Sequence, residues 1–497
     1  MSQLIKNGAA ANEALTSTTE ATVGAQLDPG LILSPRDPGW DEARTAWVVN
    51  VDQQPAAVAL VRSVADVSAV VTSAARSGLT VIAQGTGHGA LSVGSLSRTV
   101  LMRTTALNHV EVDPTERTAR AGSGAEWQAV TAAAAEHGLA VQAGSAPDVG
   151  IAGFLLSGGI SWLARSRGLA VNDVLGIEVV GADGTARIVD HDHEPDVFWA
   201  LRGGGGGFGV VTAFELRLHP LPTVSAGTLF FPMPRAGEVL HAWRRWIRTV
   251  SNRTMSCGRL LQLPRLPEVP LHLRGRAFVA LEVAHQGDVA ELDAKIAPLR
   301  DLRPVIDTIT EIPTARLAEL HMDPPGPTPC RGNGMLLNDV PPPAIDALVA
   351  CAGHGSGSPL LSVELRHLGG AVAQRPPYAG AVGHFDAEFV MYAVGITPDA
   401  ATAAKVDAHV QLVERALGPW SAGIHYANFD EHPGGGRDRF HDRATLKRLQ
   451  AVKSRVDPTG VFTCGHPITS PAALPPKSLV SVVPGDHTEM QDQRSAQ

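Results

Sequence analysis

The sequence predicts an α+β protein, in which helix–strand units carry glycine loops and a later antiparallel sheet is covered by helices. Three observations predict it. A helix, Gly-Leu, strand and glycine-loop unit occurs twice; two stretches alternate with period two around tight turns; and residues from about Thr223 to Gly423 mix amphipathic helices with apolar strands.

In the first unit Val64, Val67, Val70, Val71 and Ala74 fall at helical spacing and Gly78 supplies the cap. The strand Leu79–Ala83 then runs into Gln84-Gly85-Thr86-Gly87-His88-Gly89. In the second unit a helix from Trp127 to His137 is capped by Gly138, and the strand Leu139–Ala143 leads into Gly144-Ser145-Ala146-Pro147-Asp148-Val149-Gly150. The recurrence suggests two comparable loops facing one ligand; chance similarity between helix–strand units is the alternative. Val110–Val112 and Thr118–Ala121 flank Asp113-Pro114-Thr115, and Ile177 to Val189 turns at Asp183-Gly184, so both read as hairpins. Five glycines, Gly203–Gly207, precede the strand Val210–Leu218, and His219-Pro220-Leu221-Pro222 marks a domain boundary. Beyond it, helices are expected at Val239–Val250 and Ala401–Leu417, and strands at Ala277–Val283 and His384–Val394.

Composition narrows the function classes. The chain has 497 residues, 44% hydrophobic and 18% charged, enough for a sizeable core. The net charge is −8 and no basic stripe is present, which argues against a nucleic-acid backbone as partner. No run approaches the roughly 18–20 apolar residues of a membrane helix. The first thirty residues lack an apolar h-region, so no secretory signal is expected, and they read as a flexible arm. Cys257, Cys330, Cys351 and Cys464 form no C-x-x-C pair and read as buried thiols of a reduced, cytoplasmic protein. His191, Asp192, His193 and Glu194 are expected in a solvated loop and His384 in a strand, with no metal site.

Glycines suit a loop whose backbone N–H groups cradle a phosphate. Neither the G-x-G-x-x-G dinucleotide fingerprint nor a G-x-x-x-x-G-K-[ST] loop is present in its strand-to-helix context. What remains is a glycine nest bearing one unusual residue, His88.

Taken together, these motifs resemble the FAD-linked oxidases of the berberine-bridge-enzyme group, within the vanillyl-alcohol-oxidase superfamily with its PCMH-type FAD-binding domain. Gln84 to His88 stands where that family has R-x-G-G-H, whose histidine bonds to the flavin. Gly144 to Gly159 matches G-x-C-P-x-V-G-x-x-G-F-x-L-G-G-G, except that Ala146 replaces the cysteine that makes a second flavin bond in many members. In this respect the chain is similar to 6-hydroxy-D-nicotine oxidase. Further matches are Gly168 to Leu175, Phe198 to Arg202, Tyr426-Ala427-Asn428-Phe429 for Y-x-N-[YF], and Lys453, Asp457-Pro458 and Phe462 for K-x-x-x-D-P-x-x-x-F. The resemblance is dense over about residues 55–220 and 425–467 and thin between.

The resemblance implies a fold of two α+β subdomains at 31–221 binding FAD, a substrate domain at 222–424 with an antiparallel sheet covered by helices, and a segment at 425–468 that returns to the FAD domain. Residues 1–30 and 469–497 are expected to be a flexible arm and tail. It implies FAD held through His88 alone, with contacts from Gln84, Gly85, Thr86, Gly87 and Gly89. Further contacts are implied from Ala146, Pro147, Val149, Gly150, Gly153, Ser157, Gly158 and Gly159, and from Asn172, Val174, Val180 and Asn428. Tyr426, and after it Tyr392, are the implied catalytic residues. A phenol with pKa about 10 must be lowered by a neighbour to act as base; packing is the alternative role for both. Val149, small where the family gates the flavin face, implies regeneration by dioxygen. The activity implied is oxidation of an alcohol or amine carbon of a small molecule, a secondary metabolite or sugar, with hydrogen peroxide as product. The alternatives are a flavin dehydrogenase slow with oxygen and a flavin-binding protein that has lost its chemistry.

Overall fold

The computed structural model describes residues 30–468, apart from 268, 325 and 434–436. The expected arm and tail therefore lie outside the described residues, except Gly30 at the arm's end.

The first sheet joins β1 (Ile32–Leu33) antiparallel to β2 (Ala57–Leu60), and runs β2, β4 (Thr99–Arg103), β3 (Thr80–Gln84) in parallel. Between β2 and β3, helix α1 (Val64–Arg76) starts in a capping box of Ser63 and Asp66 and buries Val67, Val70, Val71 and Ala74 on the sheet. It ends before Gly78, whose φ of +65° is the left-handed conformation that a non-glycine residue adopts at a cost.

A second sheet is antiparallel, in the order β5 (Val110–Asp113), β6 (Thr118–Gly122), β10 (Val210–Arg217), β8 (Val174–Val180), β9 (Ala186–Val189). Both expected hairpins, β5–β6 and β8–β9, are in it. Helix α2 (Trp127–Ala135) packs beneath it with Trp127 fully buried. The strand expected at Leu139–Ala143 is only β7 (Leu139–Ala140), because its sole partner is the two-residue β11 (His219–Pro220). The residues after it form an irregular glycine loop that ends in a short helix, α3 (Ile151–Leu155). Helix α4 (Pro195–Leu201) leads to Gly203–Gly207.

The third sheet has eight antiparallel strands. Seven run β15 (Ile306–Asp307), β12 (Thr223–Pro232), β14 (Ala277–His285), β13 (Thr254–Gln262), β18 (Ser362–His367), β19 (Phe389–Ile396), β17 (Cys330–Leu337), and β16 (Thr310–Pro313) pairs with β12. Its two faces separate by strand period. Leu260, Leu281, Val363, Leu365, Met391 and Leu337 face a core closed by α5 (Ala236–Trp246), α6 (Val289–Arg300), α7 (Pro342–Ala352) and α8 (Ala400–Leu417). Trp243 of α5 is fully buried there; it sits in the space left by Gly258 and donates to Ser256 Oγ at 2.9 Å. The opposite face carries Arg259, Glu282, Glu364, Arg366 and Tyr392. His384, expected on a strand, lies in the loop before β19, which starts at Phe389.

The chain then returns to the first two sheets. Helix α9 (Arg443–Val456) buries Leu449 and Val452 with α4, and Val461 accepts from the Val81 N–H at 2.7 Å, extending the first sheet. Lys453 fixes this return: its buried ammonium is paired with Asp457 and donates to the carbonyls of Gly207 (2.6 Å) and Phe462 (2.9 Å).

Candidate active site

Between the two glycine loops, the returning segment and the charged face of the large sheet lies a cavity of about 1310 Å³. Small-molecule pockets run to roughly 1,000 Å³, so this one has room for an extended cofactor and a substrate together.

The loop after β3 is anchored by Gln84, whose Oε1 accepts from Arg103 at 2.5 Å. His88 is stacked on Trp47, with ring centroids 4.1 Å apart, and its Nδ1 is 2.8 Å from Thr86 Oγ1. Its Nε2 is buried, 3.4 Å from Asp148 Oδ1, without an aligned hydrogen-bond partner. Asp148 belongs to the second loop and accepts from Trp47 Nε1 at 2.6 Å. Burial pushes the Asp148 carboxyl up, but His88 and the Trp47 N–H outweigh it and hold it below the usual range. His88 thus joins the two loops. They also touch at Gly150, where an added Cβ would meet Thr86 Oγ1 at 3.4 Å.

Gln84, Gly85, Thr86, Gly87, His88, Gly89, Ala146, Val149, Gly150, Gly153, Ser157 and Asn428 all line the cavity. Pro147, Gly158, Gly159, Asn172, Val174 and Val180 do not. Gly158 and Gly159 back it, against Tyr426 and Phe154 respectively. Asn172 donates to the Gly383 carbonyl at 2.9 Å, and Val174 and Val180 are core residues of β8. Gly205, Gly206 and Gly209, from the glycine run and the strand start after it, also reach the cavity. The loop glycines, the buried Nε2 of His88, which has only the Asp148 carboxylate nearby and no aligned hydrogen bond, and the cavity's size fit the FAD that the resemblance implies.

Tyr426 is 2% exposed and lines the cavity. Its oxygen accepts from the Ile160 N–H (2.9 Å) and from Asn428 Nδ2 (2.8 Å). Burial raises the phenol to about 12, outweighing those donors and the charge of Arg366. The lowering that a tyrosine base requires is therefore absent from the chain alone; desolvation wins. Tyr392 is moved the same way: burial and then the neighbouring Glu431 push its phenol well up, and it donates to Glu431 Oε1 at 2.5 Å. Phe429 joins the two, its ring stacked on Tyr392 (4.6 Å) and edge-on to Tyr426 (5.1 Å).

The sequence reading missed the charged face of the large sheet. Arg259 Nη1 donates to Glu282 (2.7 Å), His321 bridges Glu282 (2.8 Å) and Glu364 (2.5 Å), and Arg366 pairs with Glu364 (2.6 Å) and reaches Ser145 of the second loop (3.1 Å). All five charged groups are at most 5% exposed. Burial and Arg259 oppose the His321 imidazolium, but the two carboxylates prevail and raise it to about 9. Burial likewise opposes the Glu282 and Glu364 carboxylates, and the facing cations hold both below the usual range. The missed signal is charge at alternate positions of apolar strands, as in Ser362-Val363-Glu364-Leu365-Arg366. Away from the cavity, His193 bonds Asp190 and His191 packs on Phe198 and Tyr378.

Residues 55–190 match the FAD binding domain family. Over 293 residues, 56% of this chain and 60% of the relative, the chain is 31% identical to (R)-6-hydroxynicotine oxidase of Paenarthrobacter nicotinovorans. It is 32% identical to glucooligosaccharide oxidase of Sarocladium strictum over 37% of this chain and 38% of that protein. The chain spans about three fifths or less of the length of these curated relatives. In structure it matches Physcomitrella patens BBE-like 1 with a TM-score of 0.76 at 19% identity, covering 91% of this chain and 99% of that one. The chain carries an FAD binding domain over residues 55–190 and has the fold of the berberine-bridge-enzyme-like FAD-linked proteins.

Proposed function

We propose that the protein is an FAD-dependent oxidase, which takes a hydride from an alcohol or amine carbon of a small molecule and passes the electrons to dioxygen, giving hydrogen peroxide. One observation carries the reading: the His88 loop and Tyr426 line the same cavity. FAD, when bound, supplies the hydride acceptor.

In this reading His88 alone holds the flavin covalently, since Ala146 offers no sulfur, and the N–H groups of Gly85–Gly89 hold its pyrophosphate. Tyr426 takes the substrate's O–H or N–H proton. The Ile160 and Asn428 donors fix its oxygen and stabilise the phenolate once it forms. With the phenol at about 12 in the chain alone, Tyr426 orients substrate at neutral pH, and the fraction present as the phenolate base grows as pH rises. Arg366 keeps the second loop against the large sheet through Ser145.

The test is acid precipitation of the purified protein, followed by spectra of pellet and supernatant. Flavin is expected in the wild-type pellet and in the supernatant of His88→Ala. Flavin wholly in the wild-type supernatant would remove the covalent link, and a colourless protein would overturn the reading.

A further inference from the structure

The charges around the cavity nearly balance, and the exception is Glu431. On the sheet face the cations Arg259, His321 and Arg366 meet Glu282 and Glu364, with Asp323 acting on all three. Asp430, next in sequence to Glu431, is paired with Arg439 and His425. Glu431 lines the same cavity and makes no ion pair among the described residues. Its partners are both uncharged: the Tyr392 hydroxyl on Oε1 (2.5 Å) and the Gly332 N–H on Oε2 (2.7 Å).

The position is built. The Glu431 N–H donates to Asn333 Oδ1 at 3.0 Å, which fixes the backbone behind the carboxyl. Gly332 and Gly334 of β17 leave the space that Tyr392 and Phe429 fill: an added Cβ would lie 2.7 Å from Tyr392 Oη and 2.8 Å from Phe429 Cβ. The rings of Tyr426, Phe429 and Tyr392 therefore form one continuous wall, with the Tyr426 hydroxyl at one end and the Glu431 carboxyl at the other. The chain has three tyrosines in all, and two of them stand in this wall. The cavity is also lined by aliphatic and proline side chains, among them Leu263, Leu266, Leu273, Met322 and Pro327. A carboxyl beside aromatic rings, all of them partly buried, is the chemistry that recognises an ammonium group.

We propose that Glu431 anchors a protonated amine of the substrate, whose apolar body lies along the Tyr392–Phe429–Tyr426 wall with its reacting carbon at the Tyr426 end. The proposal rests on the reading of this cavity as an oxidase pocket, and it narrows the substrate class to amine-bearing apolar molecules. The charge on Glu431 sets the pH response. Burial raises the carboxyl to about 7, against hydrogen bonds from Tyr392 and Gly332, with Asp430 raising it further and His432 lowering it. Cys330 and Glu364 face the same corner from β17 and β18. An ammonium ligand needs the ionised carboxylate, so its affinity must grow as pH rises through 7.

The probes are phenylbutylamine and its neutral counterpart phenylbutanol, titrated calorimetrically and without oxygen into the flavin-loaded protein. The amine should bind more tightly by about tenfold to a hundredfold at about pH 8, the contribution of a hydrogen bond to a charged group. The preference should shrink by about pH 6, and Glu431→Gln should bring the two affinities together. Equal affinities in the wild type, a preference that ignores pH, or one that survives Glu431→Gln would each overturn the proposal. The wild-type pH series stands without the variant, should the latter not fold. Calorimetry reads binding whether or not flavin is present, and the flavin absorbance is recorded separately. A colourless protein that still prefers the amine would therefore refute the oxidase reading and not the anchor.

Discussion

Replacing His321 with glutamine should remove a share of the stability that depends on pH in one direction. The imidazole is 3% exposed, between Glu282 and Glu364, and is raised to about 9 from an ordinary value near 6.5. A group raised on folding contributes stability that is fully present below about 6.5 and is lost as pH climbs through about 9. The interval corresponds to about 3 kcal/mol. In thermal terms that is about 3–7 °C, the larger figure applying if the eight-stranded sheet and its helices unfold as their own unit. The assay compares melting temperatures of wild type and His321→Gln at about pH 6 and about pH 9.5. The wild type should lose that increment on going to the higher pH, over and above whatever both proteins lose together. Equal losses in the two proteins would refute the argument, since the buried imidazole would then not carry its charge in the folded chain.

Gly87→Ala should cost about 2–5 kcal/mol and lower flavin content, because φ is +91° and the new Cβ would sit 2.8 Å from Ala46 Cβ; a thermal melt with a flavin spectrum checks both. Lys453→Met should cost about 3–5 kcal/mol by leaving Asp457 buried without its cation, seen as a fall in the urea midpoint. Val149→Leu should slow reoxidation of the reduced protein by dioxygen in stopped flow without changing its flavin content, since Val149 lines the cavity and leucine adds bulk there. Unchanged reoxidation would mean that oxygen reaches the flavin by another side.

Much of the flavin-binding half is legible because its signals are local. Gly78 and Gly138 end helices with positive φ, Asp183-Gly184 turns a hairpin, and the K-x-x-x-D-P spacing puts Lys453 and Asp457 one helical turn apart, where they pair. The failures there have a local cause as well. Leu139–Ala143 alternates like a strand, but strand length is set by the partner, and β11 offers only two residues. His384–Glu388 continues the pattern of β19 but forms no ladder: Phe385 bonds the Val372 carbonyl, and only Glu388 reaches the flanking segments, at Leu337 and Leu368.

The site is different, because half of it is assembled by register. Arg259 lies opposite Glu364, Glu364 opposite Tyr392, and Tyr392 opposite Gly334, a row across four strands from positions up to about 130 residues apart. Each strand taken alone shows at most two charges in an apolar run, as with Arg259 in β13 or Glu364 and Arg366 in β18, which read as defects in the pattern. Only the pairing turns those isolated charges into a compensated cluster, and Glu431 stands outside it with no ion pair among the described residues. The same distinction explains the tyrosines. The Y-x-N spacing places Asn428 Nδ2 on the Tyr426 hydroxyl, a partner that the sequence reading did not assign when it gave Asn428 to FAD. The burial that overrides it comes from Phe385, Val382 and Leu169, contributed by segments far from Tyr426 in the chain. A short motif can specify a donor to a phenol; whether that phenol ionises is decided by the desolvation that the rest of the fold imposes.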